Sequence, residues 1–503
     1  MPSKRGVALA GARAVAGLIG IGVAVVAVGA STLIEWPDVQ AKPPSVLVSP
    51  QAAEQQRVCP GPLLTLAADS SQADAATSFG SADTVYGARS LTSESRLGPV
   101  VEPTATDLDA VDNSKSSTDG SPVLISVPVQ SGEETVPLVA GSQSQNAATE
   151  TLGGFAASSC VEAVADSWLV GGSTDIGNTS LVLLGNPTDV AATVDLTVYS
   201  ETGVVNAPGA TGILVQPGTQ RIISLAGLAP NLKSPIVHVE SRGGQIAASL
   251  EQSAIQGISP RGAEMIGTTS KPALVQVIAG LTVSGQTAAP EDSESALPSI
   301  RVMAPGDDVA VVQVGLISEG GAATGVSLQV QLQPGIATEV PLDSLGAGSY
   351  TAVIESDKPL VAAARTQVNG ITVAASPAVP GTPPAAPAVS VAPDFAWYVS
   401  SDKLPGDFLV AVAPGPSPTL HLYNPGATDA SLTVTPNAGG TGKPVSVPAG
   451  GSTVTDVAAS TTYAVTGGTG IVASVSYLGN GQVSSFALRP PGVLASAIRV
   501  YGH

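Results

Sequence analysis

The sequence predicts a mainly β protein in which tandem immunoglobulin-like β-sandwich units follow a single N-terminal transmembrane helix. Three observations lead to this prediction: an uncharged stretch near the N terminus, a composition rich in Val, Ala, Thr, Gly and Pro, and a repeat of about 115 residues. Only 12% of the residues are charged, whereas disordered chains are highly charged and poor in hydrophobic side chains. Short strands separated by turns fit this composition, and 503 residues are too many for one core.

The uncharged stretch from Ala14 to Ile34 predicts the transmembrane helix. At about 1.5 Å per residue it is about 31 Å long, enough to cross the hydrocarbon core of a bilayer. Residues 1–13 are predicted to form a cytoplasmic tail because they contain three basic residues, Lys4, Arg5 and Arg13. We therefore expect a single-pass protein of the cell membrane whose bulk is extracytoplasmic, starting with a linker at 35–57.

A cleavable signal peptide is the alternative interpretation of this segment. Val28-Gly29-Ala30 offers the small side chains that a signal peptidase accepts. The anchor is favoured because the apolar core of a removable signal usually spans about 7 to 15 residues, and here it continues through Leu33 and Ile34. Both interpretations export the rest of the chain.

Cys59 and Cys160 are the only cysteines in the sequence. In an oxidising compartment, an even pair in an otherwise thiol-free chain favours a disulfide. The bridge would tie together an N-terminal β region at 58–165, which is rich in Ser, Asp, Gly and Ala and has few strong strand patterns. Two buried thiols that never meet are the alternative.

Two landmarks recur at a similar period after residue 165. Tight turns place prolines 117 and 114 residues apart, at Pro217, Pro334 and Pro448. Strands rich in Ala and Val begin 114 and 111 residues apart, near Ile246, Leu360 and Ile471. Apolar residues alternate within each repeat, as in half-buried strands, and about 100 residues with about seven strands match an immunoglobulin-like sandwich. The predicted units are 166–270, 271–375 and 394–503, with a Pro- and Ala-rich linker at 376–393.

Two further pairs of residues recur at the starts of predicted units. Asn186-Pro187 and Asn424-Pro425 follow apolar runs, where Pro ends a strand and the Asn side chain can hold the following turn. Trp168 and Trp397 precede the first strands. We interpret both indoles as plugs at the ends of sandwiches. The alternative is that they contact a ligand by stacking on sugar rings, which would require them to be exposed.

The balance of charge argues against one class of partner. The net charge is −19, and it is −22 after Ile34 because residues 1–34 contain three basic and no acidic residues. Nucleic-acid binding requires clustered Lys and Arg, so no nucleic-acid partner is expected. A solvated acidic surface is the favoured interpretation. The loop with Asp107, Asp109 and Asp112 could instead bind calcium. Its spacing lacks the Gly and the distal Glu of an EF-hand, so a solvated acidic loop is favoured there too.

No sequence pattern predicts a catalytic residue, a cofactor or a metal site. No zinc-ligand spacing relates the three histidines, His238, His421 and His503. Residues 439–443 resemble part of a phosphate loop, but Asn437 stands where the first Gly is required and Pro444 where Ser or Thr is required. A hairpin turn is therefore favoured there. Ser400 and Lys403 have Ser-Xaa-Xaa-Lys spacing but no Lys-Thr-Gly triplet follows. A hydrolase would need carboxylates to converge at about 5 to 10 Å, for example Asp307, Asp308 and Glu319.

Four segments carry a resemblance to a known family. They are CPGPLL from Cys59, WLVGGSTDIG from Trp168, LLGNPTDVAATVDLTVYSETG from Leu183 and IAASLEQSAIQGISPRG from Ile246. Together they resemble an uncharacterised family of actinobacterial membrane-anchored extracytoplasmic proteins, a domain of unknown function. The resemblance implies a location in the cell envelope and supplies no active-site residue.

These observations lead to an expected function. We expect a non-catalytic, membrane-anchored scaffold or accessory protein of the bacterial cell envelope. Its partners would be the membrane, through the N-terminal helix, and other envelope proteins, through sheet edges and loops. A protein that binds a wall or surface polysaccharide is the alternative, and an unrecognised carboxylate-dependent hydrolase is the third hypothesis.

Overall fold

The computed structural model describes ten segments of the chain: 45–48, 54–66, 76–91, 97–129, 136–284, 298–319, 326–342, 345–373, 389–491 and 498–501. They form β-strands and two one-turn helices, which confirms the prediction of a mainly β protein. The predicted transmembrane helix at 14–34 and most of the predicted linker at 376–393 lie outside these segments. None of the helices within them is long and apolar enough to cross a membrane.

The chain divides into two compact units, residues 1–49 with 497–503 and residues 50–496. In the first, β1 (Ser45–Val48) pairs antiparallel with β38 (Ile498–Tyr501). All other described strands belong to the second unit, which we call the main body. It contains an N-terminal region followed by three β-units.

The N-terminal region forms two sheets, ordered β11-β10-β5-β6 and β2-β9-β7, and a small β3-β4 pair. Its elements are β2 (Gln55–Cys59), β3 (Leu64–Leu66), β4 (Ala76–Ser78), β5 (Asp83–Leu91), β6 (Leu97–Val101), β7 (Thr104–Asp107), β8 (Asp109–Ala110), α1 (Ser116–Asp119), β9 (Val123–Val127), β10 (Leu138–Ala148) and β11 (Gly153–Ser159). The predicted disulfide between Cys59 and Cys160 is present in the core of this region. Gly141 leaves room for it, because a Cβ there would lie 2.9 Å from Cys160 Sγ.

The first β-unit is built on two five-stranded sheets around a shared apolar core, and β8 of the N-terminal region is the edge strand of one of them. Its elements are β12 (Asp166–Val170), β13 (Asn178–Asn186), β14 (Ala192–Ser200), β15 (Gly203–Val204), β16 (Ile213–Val215), β17 (Thr219–Ser224), α2 (Leu225–Leu228), β18 (Ile236–Gly243), β19 (Ala247–Gln256) and β20 (Ser259–Ile266). One sheet has the order β12-β18-β14-β15, with β16 also on β14, and the other has the order β20-β19-β13-β17-β8. Along β14 every second residue is buried, as the alternating sequence predicts.

The second β-unit is organised around one long strand. Its strands are β21 (Ala273–Val283), β22 (Ser299–Met303), β23 (Ala310–Ser318), β24 (Val326–Leu332), β25 (Thr338–Pro341), β26 (Gly348–Val368), β27 (Ile371–Val373), β28 (Val389–Val391) and β29 (Asp394–Val399). The first part of β26 pairs with β21 and β23, and the later part pairs with β22 and β29. The strand thereby passes from one side of the core to the other.

The third β-unit is two four-stranded antiparallel sheets around a third core, ordered β30-β35-β32-β33 and β34-β31-β36-β37. Its strands are β30 (Phe408–Val412), β31 (Thr419–Tyr423), β32 (Ala430–Pro436), β33 (Lys443–Val447), β34 (Ser452–Asp456), β35 (Thr461–Thr466), β36 (Val472–Gly479) and β37 (Gln482–Ala487). In the segment 439–443, where a hairpin turn was favoured over a phosphate loop, residues 439–442 lie in the connection between the paired strands β32 and β33, and Lys443 begins β33.

The two Asn-Pro turns have the same hydrogen bonds in the first and third β-units. Asn186 Nδ2 donates to the carbonyls of Val190 and Val215, at 2.8 and 3.0 Å. Asn424 Nδ2 donates to the carbonyls of Thr428 and Val447, at 2.8 and 3.2 Å. Each side chain therefore fixes the turn that follows it, in agreement with the prediction for these motifs.

Trp397 lies in a different place from the one its sequence position indicates. It is in β29, which pairs with β26 and therefore completes a sheet of the second β-unit. The third β-unit begins with β30 instead. The proline-rich stretch before β29 favours a domain boundary in the sequence, but strand pairing continues across it. Trp168, by contrast, lies in the first strand of the first β-unit, β12.

Removing the disulfide is expected to lower the stability of the main body. The bridge joins residues 101 positions apart, which corresponds to about 4 to 5 kcal/mol in the chain-entropy model. The test is urea denaturation of the Cys59→Ala/Cys160→Ala variant beside the wild type. A reducing agent should lower the wild-type midpoint and leave that of the variant unchanged; equal midpoints for both proteins without reductant would contradict the expectation.

Candidate functional site

The four parts of the main body meet at a junction formed by β11, β20, β29 and β37. β11 packs against β20 and β37, and β29 packs against the same two strands. All six residues of β29 are buried. Because the junction takes one strand from the N-terminal region and one from each β-unit, the side chains in it determine how the parts are held together.

Asp394 at the start of β29 is the centre of this junction and is fully buried. Its Oδ2 accepts hydrogen bonds from the backbone N–H groups of Phe155 at 2.9 Å and Val483 at 3.2 Å. Its Oδ1 accepts from the N–H groups of Phe395 at 3.0 Å and Ala263 at 3.4 Å. Burial raises the pKa of Asp394 to about 8, although the four N–H donors act in the opposite direction. One carboxyl group thus connects four strands.

Two glycines make room for this carboxyl group. A Cβ at Gly154 would lie 2.6 Å from Asp394 Oδ1, and a Cβ at Gly262 would lie 2.9 Å from the same atom. Their φ angles of +142° and +126° are also ones that residues with a Cβ rarely adopt. The backbone of the neighbouring strands can therefore approach Asp394 closely only because both positions are glycine.

A second buried acid, Glu264, lies at the same junction. Its Oε1 accepts hydrogen bonds from Ser484 Oγ at 2.7 Å and from the N–H of Met265 at 2.9 Å. Ser484 Oγ also accepts from the N–H of Ala157 at 2.8 Å. Burial raises the pKa of Glu264 well above its usual range, and the nearby charge of Asp394 raises it further. The hydrogen bonds of Glu264 and Ser484 thus link β20, β37 and β11 in a buried polar network, in which Glu264 Oε2 has no hydrogen-bond partner among the described residues.

Arg301 connects the first and second β-units beside the junction. Only 3% of this residue is exposed. Its Nη1 donates to the carbonyls of Gly172 and Pro235 in the first unit, at 2.9 and 2.8 Å, and its Nε donates to Glu339 at 2.6 Å. The guanidinium lies over the ring of Trp397, 4.6 Å from its centroid.

Both predicted ligand-contact aromatics are buried. Trp397 is 1% exposed and its Nε1 donates to Gln252 Oε1 at 2.8 Å. Trp168 is 4% exposed and stacks on His238, with ring centroids 4.1 Å apart. Neither indole offers a free face to a sugar ring, so the burial of Trp168 and Trp397 counts against the alternative of ligand contact by stacking and agrees with the favoured interpretation of buried rings. Both rings pack between strands.

Three side chains between the second and third β-units have the order of a catalytic triad. His421 Nδ1 lies 2.5 Å from Glu319 Oε2, and His421 Nε2 lies 2.7 Å from Ser476 Oγ. Glu319 Oε1 also accepts from Thr351 Oγ1 at 2.7 Å and the N–H of Gly280 at 3.1 Å. The side chains of His421 and Glu319 are 1% and 0% exposed, and Ser476 is 3% exposed. A substrate could reach the Ser476 hydroxyl only if the two units separated, so this arrangement joins the units.

The carboxylates named for a hydrolase do not converge. Asp307 and Asp308 precede β23, whereas Glu319 follows it. Nine strand residues separate them by about 30 Å, far beyond the spacing of paired catalytic carboxylates. Asp308 instead pairs with Lys358 at 2.7 Å.

The acidic loop considered for calcium is partly engaged in protein contacts. Asp112 Oδ2 accepts from Arg221 Nε at 2.7 Å and from the N–H of Ile222 at 2.9 Å. This ion pair attaches the N-terminal region to the first β-unit. Asp107 and Asp109 are exposed strand residues. Asp112 therefore has a structural partner in place of an ion.

Two comparisons with known proteins have a bearing on identity. Residues 113–467 match the family described as "Family of unknown function (DUF5719)". The chain belongs to this family. The matched segment includes Asp394 and runs from the N-terminal region to just past the end of β35 in the third unit. No curated protein matches the sequence.

Among solved structures, one similar chain is "Crystal Structure of Thermotoga maritima 1070". It is 15% identical, with a TM-score of 0.17, and the alignment covers 25% of this chain and 95% of that chain. A likeness at this level carries no argument about the fold or the function.

Asp394→Asn is expected to destabilise the main body strongly. The amide nitrogen of Asn would face two of the four N–H donors, which would lose their acceptor at about 1 to 3 kcal/mol each. Urea denaturation followed by tryptophan fluorescence measures the change. The matched control is Asp308→Asn at an exposed site, which loses only a surface ion pair with Lys358 and should lower stability only slightly. A wild-type midpoint for Asp394→Asn would show that the four hydrogen bonds contribute nothing.

Stability is expected to fall as the pH rises from about 6 to 9. Burial raises the pKa of Glu251 to about 8, whereas an unfolded Glu titrates near 4.3. Between these two pH values the native state binds more protons than the unfolded chain. The stabilisation contributed by protonated Glu251 is therefore complete below about pH 4 and is lost as the pH rises through 8.

The isosteric variant Glu251→Gln isolates this effect. Glu251 Oε1 accepts from the N–H of Leu64 at 2.9 Å, and Oε2 is buried without a hydrogen-bond partner among the described residues. Denaturation at several pH values should give a flatter profile for Glu251→Gln, by about 2 to 3 kcal/mol between pH 6 and 9. The exposed Glu150→Gln is the control and should follow the wild type. Identical profiles for wild type and Glu251→Gln would refute the assignment.

Proposed function

We propose that this chain is a non-catalytic, membrane-anchored scaffold or accessory protein of the bacterial cell envelope. The observation that carries the proposal is the junction at Asp394, where one buried carboxyl group receives N–H groups from four strands. A body joined in this way holds its exposed loops and sheet edges in fixed positions, which is what a scaffold requires. In this proposal the β-units are immunoglobulin-like sandwiches, and residues 14–34 anchor them as a single helix with the N terminus in the cytoplasm.

Two features support an extracytoplasmic location. The disulfide between Cys59 and Cys160 is of a kind that forms and persists in oxidising compartments and is rare in the cytosol. The acidic net charge of −19 keeps a large exported protein soluble and unattractive to polyanions. Both features agree with the envelope role of the proposal.

The loops at one end of the first β-unit support the proposal that the partners are proteins. Ile176 is 93% exposed and Ile258 is 90% exposed. The N–H of Ile255 donates to the carbonyl of Gly177 at 2.7 Å, so the chain next to Ile176 lies beside the end of β19, close to the turn that carries Ile258. Large aliphatic side chains presented together to solvent are typical of interaction surfaces.

Site-specific photo-crosslinking in cells tests the proposal. A photoreactive amino acid replaces Ile176 in one variant and Ile258 in another, and Thr441, on an exposed loop of the third unit, is the control position. We expect the same envelope protein to be captured from both isoleucine positions and not from Thr441. Capture at all three positions alike, or at none of them, would contradict a defined protein partner on this surface.

Binding of a wall or surface polysaccharide is the second candidate. It is favoured by an open groove of about 510 Å³ between the second and third β-units, whose lining combines apolar residues such as Val283, Val368 and Leu478 with polar residues such as Ser284 and Asn480. Co-purification of glycan fragments without a protein partner would favour this function. The burial of both tryptophans and of the Ser476 hydroxyl supports neither an indole-based sugar platform nor a hydrolase.

A further inference from the structure

An acidic cluster with one histidine lies on the outer face of the first β-unit. Val237 and Val239 of β18 are buried in the core, so the alternating residues His238 and Glu240 point to the opposite face. In the antiparallel pairing of β12 with β18, Asp166 lies directly opposite Glu240. Strand register therefore brings together an imidazole and two carboxylates from positions about 70 residues apart in sequence.

The distances within this cluster suit a shared ion. One coordinating atom of each residue, Asp166, His238 and Glu240, lies within 4.8 Å of those of the other two. Asp166 Oδ2 is 3.4 Å from His238 Nε2, whereas Glu240 Oε2 is 4.0 Å from the other ring nitrogen, Nδ1. Glu240 must therefore rotate to reach an ion held by Nε2. Zinc binds nitrogen and carboxylate oxygen at about 2.0 to 2.2 Å. The carboxylates are about half exposed, 42% and 53%, so small rotations can bring their oxygens to that distance.

Two coordinating atoms of the cluster are buried and unsatisfied. Asp166 Oδ1 and His238 Nε2 are both shielded from solvent and make no hydrogen bond with the described residues. Their charged contacts are longer, with Lys271 Nζ 3.9 Å from Asp166 Oδ1 and Asp166 Oδ2 3.4 Å from His238 Nε2. Buried polar atoms are nearly always paired, with an ion or water as a common partner where protein groups are lacking. These atoms are therefore a second indication of a ligand, separate from the clustering itself.

The charges around the cluster also favour a cation. Glu240 lies between Asp166 on β12 and Asp195 on β14, so three carboxylates form a row across three strands. Like charges directly opposite each other on a sheet are destabilising. Arg242 pairs with Asp195 at 3.1 Å, whereas the cation nearest Asp166 is Lys271, 3.9 Å from it and 71% exposed. Asp166 therefore has only a long, solvent-exposed ion pair with Lys271, and the described residues give Glu240 no ion pair with a Lys or Arg.

We propose that Asp166, His238 and Glu240 form a binding site for a divalent transition-metal ion of the Zn²⁺ class. Imidazole and carboxylate ligands suit zinc and its neighbours better than calcium or magnesium, which take oxygen ligands. Trp168 stacks on His238 with an interplanar angle of 11° and fixes the orientation of the ring. Three protein ligands leave one position of a tetrahedral site for water.

Calorimetric titration of the full-length protein with ZnCl₂ tests the site, with protein purified without a polyhistidine tag. We expect about one Zn²⁺ ion per chain for the wild type. Affinity should fall by about 100-fold or more in His238→Gln, and by a similar factor in Asp166→Asn and Glu240→Gln, because each variant removes a ligand. The last two substitutions are isosteric and at half-exposed sites, so they test the site even if His238→Gln folds poorly.

The matched control is Asp195→Asn, which removes a carboxylate from the same row but not a ligand. It should change the affinity by less than about 3-fold, since only a weak, screened interaction is lost. Zn²⁺ should also raise the melting temperature of the wild type and leave that of His238→Gln unchanged. No Zn²⁺ binding by the wild type, equal loss in Asp195→Asn, or equally tight binding of Ca²⁺ that His238→Gln leaves intact would overturn the proposal and leave a simple acidic patch.

Discussion

Burying a carboxyl group costs free energy unless its oxygens receive hydrogen-bond donors, and Asp394 receives them from four strands. β11 belongs to the N-terminal region, and β20, β29 and β37 belong to the three β-units in turn. The group is satisfied only when all four strands are in place, because each N–H comes from a different one. Asp394 therefore makes the arrangement of the parts, and not only their individual folds, a condition of stability.

The packing around β29 adds to this dependence. Phe395, Trp397 and Val399 belong to the core of the first β-unit, whereas Ala396 and Tyr398 belong to the core of the second. A strand buried on both faces cannot serve one unit alone. Removal of either unit would expose a row of large side chains to water, at about 25 cal/mol per Å² of apolar surface. The first and second units thus share core residues, unlike independent domains joined by a linker.

Sequence reasoning predicted the features that depend on local pattern. The alternation in β14 and the turns at Asn186 and Asn424 are set by residues close together in the chain, and they were predicted correctly. The disulfide between Cys59 and Cys160 was predicted because no other cysteine competes.

The features that sequence reasoning missed depend on pairing across long distances. Trp397 follows a proline-rich stretch, which favours a boundary, yet its strand returns to β26. Asp394 has no local partner beyond Phe395, and only the fully apolar run that follows it could have suggested a buried acid. His238 and Glu240 have the two-residue spacing of one strand face, but Asp166 comes from another strand, so no spacing rule for zinc could include it.

The most direct measurement is differential scanning calorimetry of the intact protein. If the four parts depend on one junction, the main body should unfold in a single transition whose calorimetric and van't Hoff enthalpies agree. Three or four resolved transitions, each with its own melting temperature, would contradict this view, because they would mean that the β-units are independent domains and that the junction at Asp394 is a contact between them with little energetic weight.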